Sequence, residues 1–235
     1  MSQKQEDTEE ETTDEENSSS DSDNNIPRKE KLGITNHWKT YRIPKDQKSF
    51  FENAQRKWYV CETKANGSCA LDAMAIAFGL DRNAETWEKL RFNAAQGEVE
   101  VLHREDKLQK NHWLEPNDII FLAMKAFGII PIILGNAAYM LLTGSYFAFS
   151  LQMLELLPVL QRKTKTLNYI VILYSGSHFE TLGALHKHKR KISSKERHRH
   201  FRTIFTEKQL PKGFLLAWQA DLSKFEAFSL LSGNK

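Results

Sequence analysis

The sequence has few of the residues that define several protein classes. Two cysteines in 235 residues are too few for the disulfide framework of a small secreted protein. No closely spaced Cys and His residues indicate a structural zinc site, and no spacing of carboxylates indicates another metal site. A glycine-rich phosphate-binding loop is also missing. We therefore expect neither a metal nor a cofactor.

The first 25 residues lack the basic start and the apolar stretch of a signal peptide. They contain ten acids, one lysine and no aromatic residue, so they carry −9 and the other 210 residues carry +12. Such a composition cannot bury enough apolar surface to offset the entropy lost on ordering. Residues 1–30 are predicted to be a disordered acidic tail. We expect a cytoplasmic or nuclear protein, or a secreted effector that acts inside a host cell.

The rest of the chain alternates helical and strand-like patterns. Helices are predicted over 45–57, from Cys69 to Phe78, over 85–102 and from Pro116 to Gly128, because apolar residues recur there at helical spacing or a helix start or end signal is present. Strands are predicted at 58–61, 129–134, 167–174 and 177–182. This order predicts an α+β (α/β-type) domain with a small central β-sheet flanked by helices.

Two segments have distinctive charge. Residues 126–154 contain no charged side chain, a length that could cross a bilayer. Several glycines and a proline divide this stretch into strand-sized pieces, so we expect buried core and no membrane contact. Residues 184–202 contain eight Lys or Arg, four His and one acid. This basic segment is either a solvated face, a nuclear-import signal or a phosphate-binding surface, and it supports nucleic-acid binding only weakly because Phe201 is its one aromatic residue.

Cys69 lies in a polar turn at the predicted start of a helix. Free backbone N–H groups and the positive end of the helix dipole stabilise a thiolate there. The same N–H groups, near residues 67–69, could stabilise the oxyanion of an acyl intermediate. The alternative is that Cys69 is only a small residue where the helix packs on a strand. Cys61, in the preceding predicted strand, is expected to be core.

A partner for Cys69 is available near the end of the predicted domain. His178 follows a buried strand and a short turn, and Glu180 lies two residues on, on the same face of the next strand. A carboxylate there can hold the imidazole in the tautomer that accepts a thiol proton. The order of cysteine, histidine and acid is the general plan of papain-like proteases.

Three segments in this order resemble the ovarian-tumour (OTU) family of cysteine deubiquitinases. NGSCALDAMA (66–75) resembles that family's Asp-Gly-Asn-Cys-Leu-Phe-Arg-Ala segment. The segment NHWLEPNDI (111–119), with the helix and strand after it, resembles the family's tryptophan-containing turn. YIVILYSGSHFETL (169–182) resembles its closing strand and His-Tyr-Asp-Ser-Leu motif. The resemblance implies an OTU-like, papain-like cysteine protease domain over residues 34–184, followed by the basic segment 185–202 and a C-terminal extension over 203–235 that packs on the domain.

The resemblance also implies roles for individual residues. Cys69 would be the nucleophile and His178 the general base. Glu180 takes the place of the acidic or amide residue after the histidine, and Asn66 that of the aspartate that shapes the oxyanion turn. Trp113 takes the place of the family tryptophan, a packing residue near the site. Gly67 and Ser68 complete the active-site loop.

The chain departs from the family pattern at several of these positions. The family's Asp is Asn66 here and its Asn is Ser68, while Glu replaces Asp at 180 and Ala-Leu-Asp (70–72) replaces Leu-Phe-Arg. The first hypothesis is a monomeric thiol isopeptidase that acts on ubiquitin, polyubiquitin chains or a ubiquitin-like modifier. The second is a weakened OTU-like module that only binds ubiquitin or another partner. A nucleic-acid-binding protein that uses residues 184–202 is the third.

Overall fold

The computed structural model describes residues 37–52, 54, 56–64, 67–96, 108–109, 113–185 and 201–232. All of them belong to one compact unit, Ile34–Lys235. Its strands are β1 (Trp38–Thr40), β2 (Trp58–Cys61), β3 (Ile130–Gly135), β4 (Phe147–Ala148), β5 (Asn168–Tyr174), β6 (Phe179–Leu185), β7 (Phe201–Arg202) and β8 (Ile204–Thr206). Its helices are α1 (Cys69–Phe78), α2 (Ala84–Ala95), α3 (Pro116–Phe127), α4 (Ala137–Thr143), α5 (Leu151–Lys163) and α6 (Lys212–Ser232), with 3-10 helices at Lys45–Phe51 and Glu207–Gln209.

The strands form one mixed sheet in the order β1-β2-β6-β5-β3-β4, with β7 paired to β6 and β8 paired to β5. Only β3 and β5 run parallel, and the other pairs between described strands are antiparallel. The chain connects β3 to β5 through α4, β4 and α5, a long crossover of the kind that a parallel pair requires. The predicted α+β class, with a central sheet flanked by helices, is confirmed.

Sequence signals place several helix ends correctly. Helix α1 ends at Gly79 and α3 ends at Gly128, and both glycines have positive φ, 65° and 63°. Pro116 begins α3, where its missing N–H costs nothing. Helix α2 spans Ala84–Ala95, and the part of its predicted range beyond residue 96 lies outside the described residues.

The helix predicted over 45–57 is wrong in type and length. A 3-10 helix covers Lys45–Phe51 instead. Its buried Gln47 donates from Nε2 to the carbonyl oxygen of Gly135 at 2.9 Å, which ties this short element to the end of β3. Tertiary contacts, rather than helical periodicity, determine its conformation.

The uncharged stretch 126–154 forms several elements of the domain instead of one span. It contains the end of α3, then β3, α4, β4 and the first turn of α5. Every residue of β3 is buried, as expected for a strand covered on both faces. No helix among the described residues has the length and apolar character needed to cross a membrane.

The C-terminal elements take part in the main core. Phe214, in the first turn of α6, is 1% exposed, and its ring lies 5.4 Å from that of Phe51 and 5.5 Å from that of Phe147. Strand β8 extends the sheet by pairing with β5, so that Tyr169 lies opposite Phe205. The N-terminal 3-10 helix and the last helix therefore pack against each other through aromatic side chains.

We predict that Phe214→Ala lowers the free energy of unfolding by about 3–5 kcal/mol, because it removes a buried ring and leaves a cavity among aromatic neighbours. Phe228→Ala, on the same helix but 69% exposed in the wild type, is the matched control and should change stability by less than about 0.5 kcal/mol. Urea unfolding measures both. Equal effects of the two substitutions would contradict the described packing of α6.

Candidate active site

Cys69 is the first residue of α1, and Ser68 occupies the N-cap. The helix continues through an almost completely buried segment, Ala70–Ala77, and Cys69 itself is 2% exposed. The first N–H groups of any helix have no intrahelical acceptor and carry a partial positive charge. Cys69 therefore lies at the end of α1 where N–H groups are available to an anion.

A buried hydrogen bond holds α1 against β6, the strand that follows His178. The Thr181 hydroxyl, which is fully buried, donates to the carbonyl oxygen of Ala73 at 2.6 Å. Near the other end of the helix, Thr203 donates to the carbonyl oxygen of Ala77 at 2.7 Å. The Thr181 contact fixes the helix that carries Cys69 relative to the strand that begins directly after His178. The Thr203 contact joins the far end of this helix to the residue between β7 and β8.

The turn between β5 and β6 presents His178. It is closed by a hydrogen bond from the Ser175 N–H to the His178 carbonyl oxygen at 3.0 Å, and Gly176 takes a φ of 94° that favours glycine. The Tyr174 hydroxyl donates to the Gly176 carbonyl oxygen at 2.7 Å, and the Asn136 side chain donates to that of Ser175. Two neighbouring elements thus hold the turn in place.

Cys69 and this turn meet in space. The Cys69 sulfur lies 3.9 Å from the carbonyl oxygen of Ser177, the residue just before His178. This contact joins the start of α1 to the backbone next to His178, across 108 residues of sequence. A cleft lined by His178, Glu180, Tyr174, Asn136 and Tyr41, among others, lies on the His178 side of this contact, and Cys69 is not part of its lining.

Thr63 contacts the imidazole of His178. Its Oγ1 lies 3.0 Å from His178 Nε2, and the same hydroxyl donates to the Phe179 carbonyl oxygen at 2.5 Å. Thr63 belongs to the loop between β2 and α1, so the segment that leads to the nucleophile also reaches the histidine. The sequence analysis did not identify this residue.

Glu180 lies beside His178 without a hydrogen bond between the two side chains. Its carboxyl group is half-buried in the cleft, and burial raises its pKa, while its electrostatic interaction with His178 acts in the opposite direction. The predicted proximity of the acid to the histidine is present. The hydrogen bond through which it was expected to orient the imidazole is not.

A buried ion pair anchors the loop that carries Thr63. Asp72, one turn after Cys69 in α1, accepts hydrogen bonds from Arg82 Nε at 2.8 Å and from the Lys64 N–H at 3.0 Å. Arg82 also donates to the Glu62 carbonyl oxygen at 3.1 Å. The hydrogen bond to Asp72 raises the pKa of Arg82. The loop is thus held on both sides of Thr63.

The second cysteine is separate from this chemistry. Cys61 is fully buried in β2, and burial raises the pKa of its thiol to about 12. Cys61 is therefore a core residue, as predicted, and only Cys69 of the two cysteines contacts the turn that carries His178.

The remaining predicted site residues have varied surroundings. Gly67 has a φ of 77°, which explains why glycine occupies this turn. Ser68 lines a groove with Trp87 and Arg91 on the other side of the helix start. Trp113 is 55% exposed, so it does not pack in the core. Asn66 and the basic segment from residue 186 to residue 200 lie outside the described residues.

The chain is similar in structure to OTU domains. One is an OTU domain in complex with ubiquitin, at 16% identity and a TM-score of 0.45, covering 70% of this chain and 85% of the other. A Hazara virus OTU bound to ubiquitin has 15% identity and a TM-score of 0.34, covering 55% and 83%. An OTU deubiquitinase from Wolbachia pipientis has 19% identity and a TM-score of 0.33, covering 59% and 93%.

No protein-family model and no curated protein matches the sequence. The chemistry of the site is therefore inferred from its own residues and contacts.

Sequence reasoning missed Thr63, Arg82 and the role of Asp72. Only Asp72 had a usable signal, because a single acid in an apolar helix must find a buried cationic partner or a set of hydrogen bonds. Arg82 and Thr63 lie in polar loops where such residues are ordinary. Their role depends on the fold that brings both loops beside α1.

We predict that Asp72→Ala lowers the free energy of unfolding by about 3–5 kcal/mol, because it removes the carboxylate that compensates the buried charge of Arg82. The matched control is Glu85→Ala, which breaks the exposed ion pair of Glu85 with Lys89 and should cost less than about 0.5 kcal/mol. Chemical denaturation followed by circular dichroism measures both. A small effect at Asp72 would show that the loop is held by other contacts.

The pH dependence of stability should change in Glu180→Gln. Because burial raises the pKa of Glu180, the folded protein binds the carboxyl proton more tightly than the unfolded chain does. Wild type therefore loses stability as the pH rises from the unfolded carboxyl pKa, about 4.3, through the higher folded pKa. The glutamine variant should be the more stable protein at pH 7, and its advantage should shrink towards pH 4. Urea unfolding midpoints of the wild type and the variant at pH 4 and pH 7 measure this difference. A variant that is less stable than wild type at pH 7 would contradict the prediction and indicate that His178 stabilises the Glu180 carboxylate.

Proposed function

We propose that this protein is an OTU-like cysteine isopeptidase that removes ubiquitin, or a ubiquitin-like modifier, from lysine side chains. The observation that carries the proposal is the contact between the helix start at Cys69 and the turn at His178. A buried thiol at a helix N-terminus, against a hydrogen-bonded turn that carries a histidine, supports thiol hydrolysis, which needs a nucleophile and a base held close together. The sequence motifs that resemble the OTU family support ubiquitin, or a ubiquitin-like modifier, as the class of substrate.

The reaction begins when His178 takes the thiol proton of Cys69. The sulfur attacks the carbonyl carbon of the modifier's C-terminal glycine, and the resulting oxyanion accepts hydrogen bonds from N–H groups near residues 67–69. His178 then returns the proton to the departing lysine amine, which leaves a thioester on Cys69. Water gives a proton to His178, attacks the thioester and releases the modifier with a free carboxylate, while the sulfur regains its proton.

A second candidate is a module that binds a modifier but does not hydrolyse its conjugates. Two observations favour it: Glu180 makes no hydrogen bond with His178, and Cys69 is 2% exposed. Both features would slow attack on a bulky substrate. The two candidates differ in whether Cys69 forms a covalent bond with a reactive substrate analogue.

The deciding experiment is incubation with ubiquitin that carries a C-terminal thiol-trapping electrophile, read by intact mass. We expect one ubiquitin to add to the wild type and to Cys61→Ala, and none to add to Cys69→Ala. Hydrolysis of an isopeptide-linked substrate should fall by about 10⁴-fold or more in Cys69→Ala, as for the loss of other catalytic nucleophiles.

The controls separate the candidates. Circular dichroism must show that each variant is folded. A folded wild type that binds ubiquitin without forming an adduct would support the binding module. Adduct formation in Cys69→Ala would overturn the assignment of the nucleophile. The same electrophile on other ubiquitin-like modifiers tests the substrate class.

A further inference from the structure

An imidazole that activates a thiol needs two different nitrogens. One must be unprotonated and face the sulfur, and the other must keep its hydrogen and donate it to a fixed acceptor. The sequence pattern assigns that acceptor to Glu180. In the structure, the atom within hydrogen-bond distance of His178 Nε2 is the hydroxyl oxygen of Thr63, at 3.0 Å.

The direction of this hydrogen bond follows from the second contact of Thr63. A carbonyl oxygen can only accept, so the Thr63 hydroxyl hydrogen points to the Phe179 carbonyl oxygen 2.5 Å away. Towards His178, Thr63 Oγ1 can then only accept a hydrogen bond through a lone pair, so His178 Nε2 must be the donor. This network places the hydrogen of the neutral imidazole on Nε2 and leaves Nδ1 unprotonated.

We infer that Thr63 is the positioning residue of His178, holding the Nε2–H tautomer whose Nδ1 accepts the thiol proton of Cys69. Glu180 acts on the histidine only through its charge. The inference rests on the proposed function for its catalytic meaning. The hydrogen-bond pattern itself does not depend on the identity of the substrate.

The loop is built to keep Thr63 in this place. Asp72 and Arg82 hold the residues immediately before and after it, and the Lys64 ammonium lies 5.1 Å from the ring centre of Trp87. Threonine also has a restricted χ1 angle, so its hydroxyl is less free to turn away than that of serine. Because the hydroxyl is neutral, it orients the imidazole without adding the negative charge that a carboxylate would supply.

The first test is the tautomer of His178, read by long-range ¹H–¹⁵N correlation spectra of the full chain near pH 8. His178→Ala identifies the signals among the eight histidines. We expect the Nε2–H form in wild type and in Thr63→Ser, and a mixture of tautomers in Thr63→Val, which keeps the shape but lacks the hydroxyl. A wild-type Nδ1–H form would overturn the inference without any variant.

The second test is the rate at which iodoacetamide alkylates Cys69 between pH 6 and 9, which needs no ubiquitin. We expect Thr63→Val to lower the rate by about ten- to a hundredfold and to change its pH profile, whereas Thr63→Ser should recover most of the rate. Thr203→Val is the matched control, since it removes a threonine-to-carbonyl hydrogen bond at the far end of α1, and it should react like wild type.

Glu180→Gln discriminates between the two assignments. It should reduce alkylation less than Thr63→Val does and leave the His178 tautomer unchanged. A larger loss in Glu180→Gln, or wild-type behaviour of Thr63→Val, would overturn the inference. If the alkylation and tautomer results are as expected but ubiquitin conjugates are not cleaved, the proposed function fails while the role of Thr63 stands.

Discussion

The candidate site depends on one buried ion pair, that of Asp72 with Arg82. Asp72 is fully buried in α1 and Arg82 is nearly so, and together they bind the backbone of the loop that leads to the helix. Burying an isolated charge in the protein interior costs several kcal/mol of desolvation free energy, so each charge requires the other and the hydrogen bonds around them. The pair thus couples three segments: the helix of Cys69, the loop of Thr63 and the start of the connection to α2.

The sheet supplies the other half of the site. Strand β6 lies between β2 and β5. Its first residues, Phe179 and Glu180, pair with β5, and β2 joins on the other side from Thr181 onwards. The hydrogen bond from Thr181 to the Ala73 carbonyl oxygen then sets the distance between this strand and α1. The cysteine begins a helix and the histidine lies in a short turn between two paired strands, whereas the threonine comes from a longer loop. That loop needs the ion pair because it lacks the support of a sheet.

Much of this architecture could be predicted from local patterns. The start of α1 at Cys69, the glycine ends of α1 and α3, and the antiparallel strands around residues 175–178 each have a local physical cause: a helix end signal, a left-handed glycine or an apolar run. The approach of Cys69 to the His178 turn followed from the resemblance to a family rather than from any such pattern. Contacts such as that of Thr63 with His178 could not be foreseen, because they depend on how two loops 115 residues apart meet. The 3-10 helix at Lys45–Phe51 was missed for the same reason, since a distant carbonyl at Gly135 fixes it.

The segments that form the core and the candidate site are far apart in the sequence, so they are synthesised at different times. During synthesis, α1 with its cysteine emerges before β5 and β6, against which the helix and its site are held. Phe214, which closes the aromatic core, belongs to the last helix of the described chain. The nascent chain therefore carries the Cys69 thiol without His178 while the 108 residues between them are synthesised. Since non-local contacts form late and slowly, the candidate site assembles only after β6, which follows His178, has also been made.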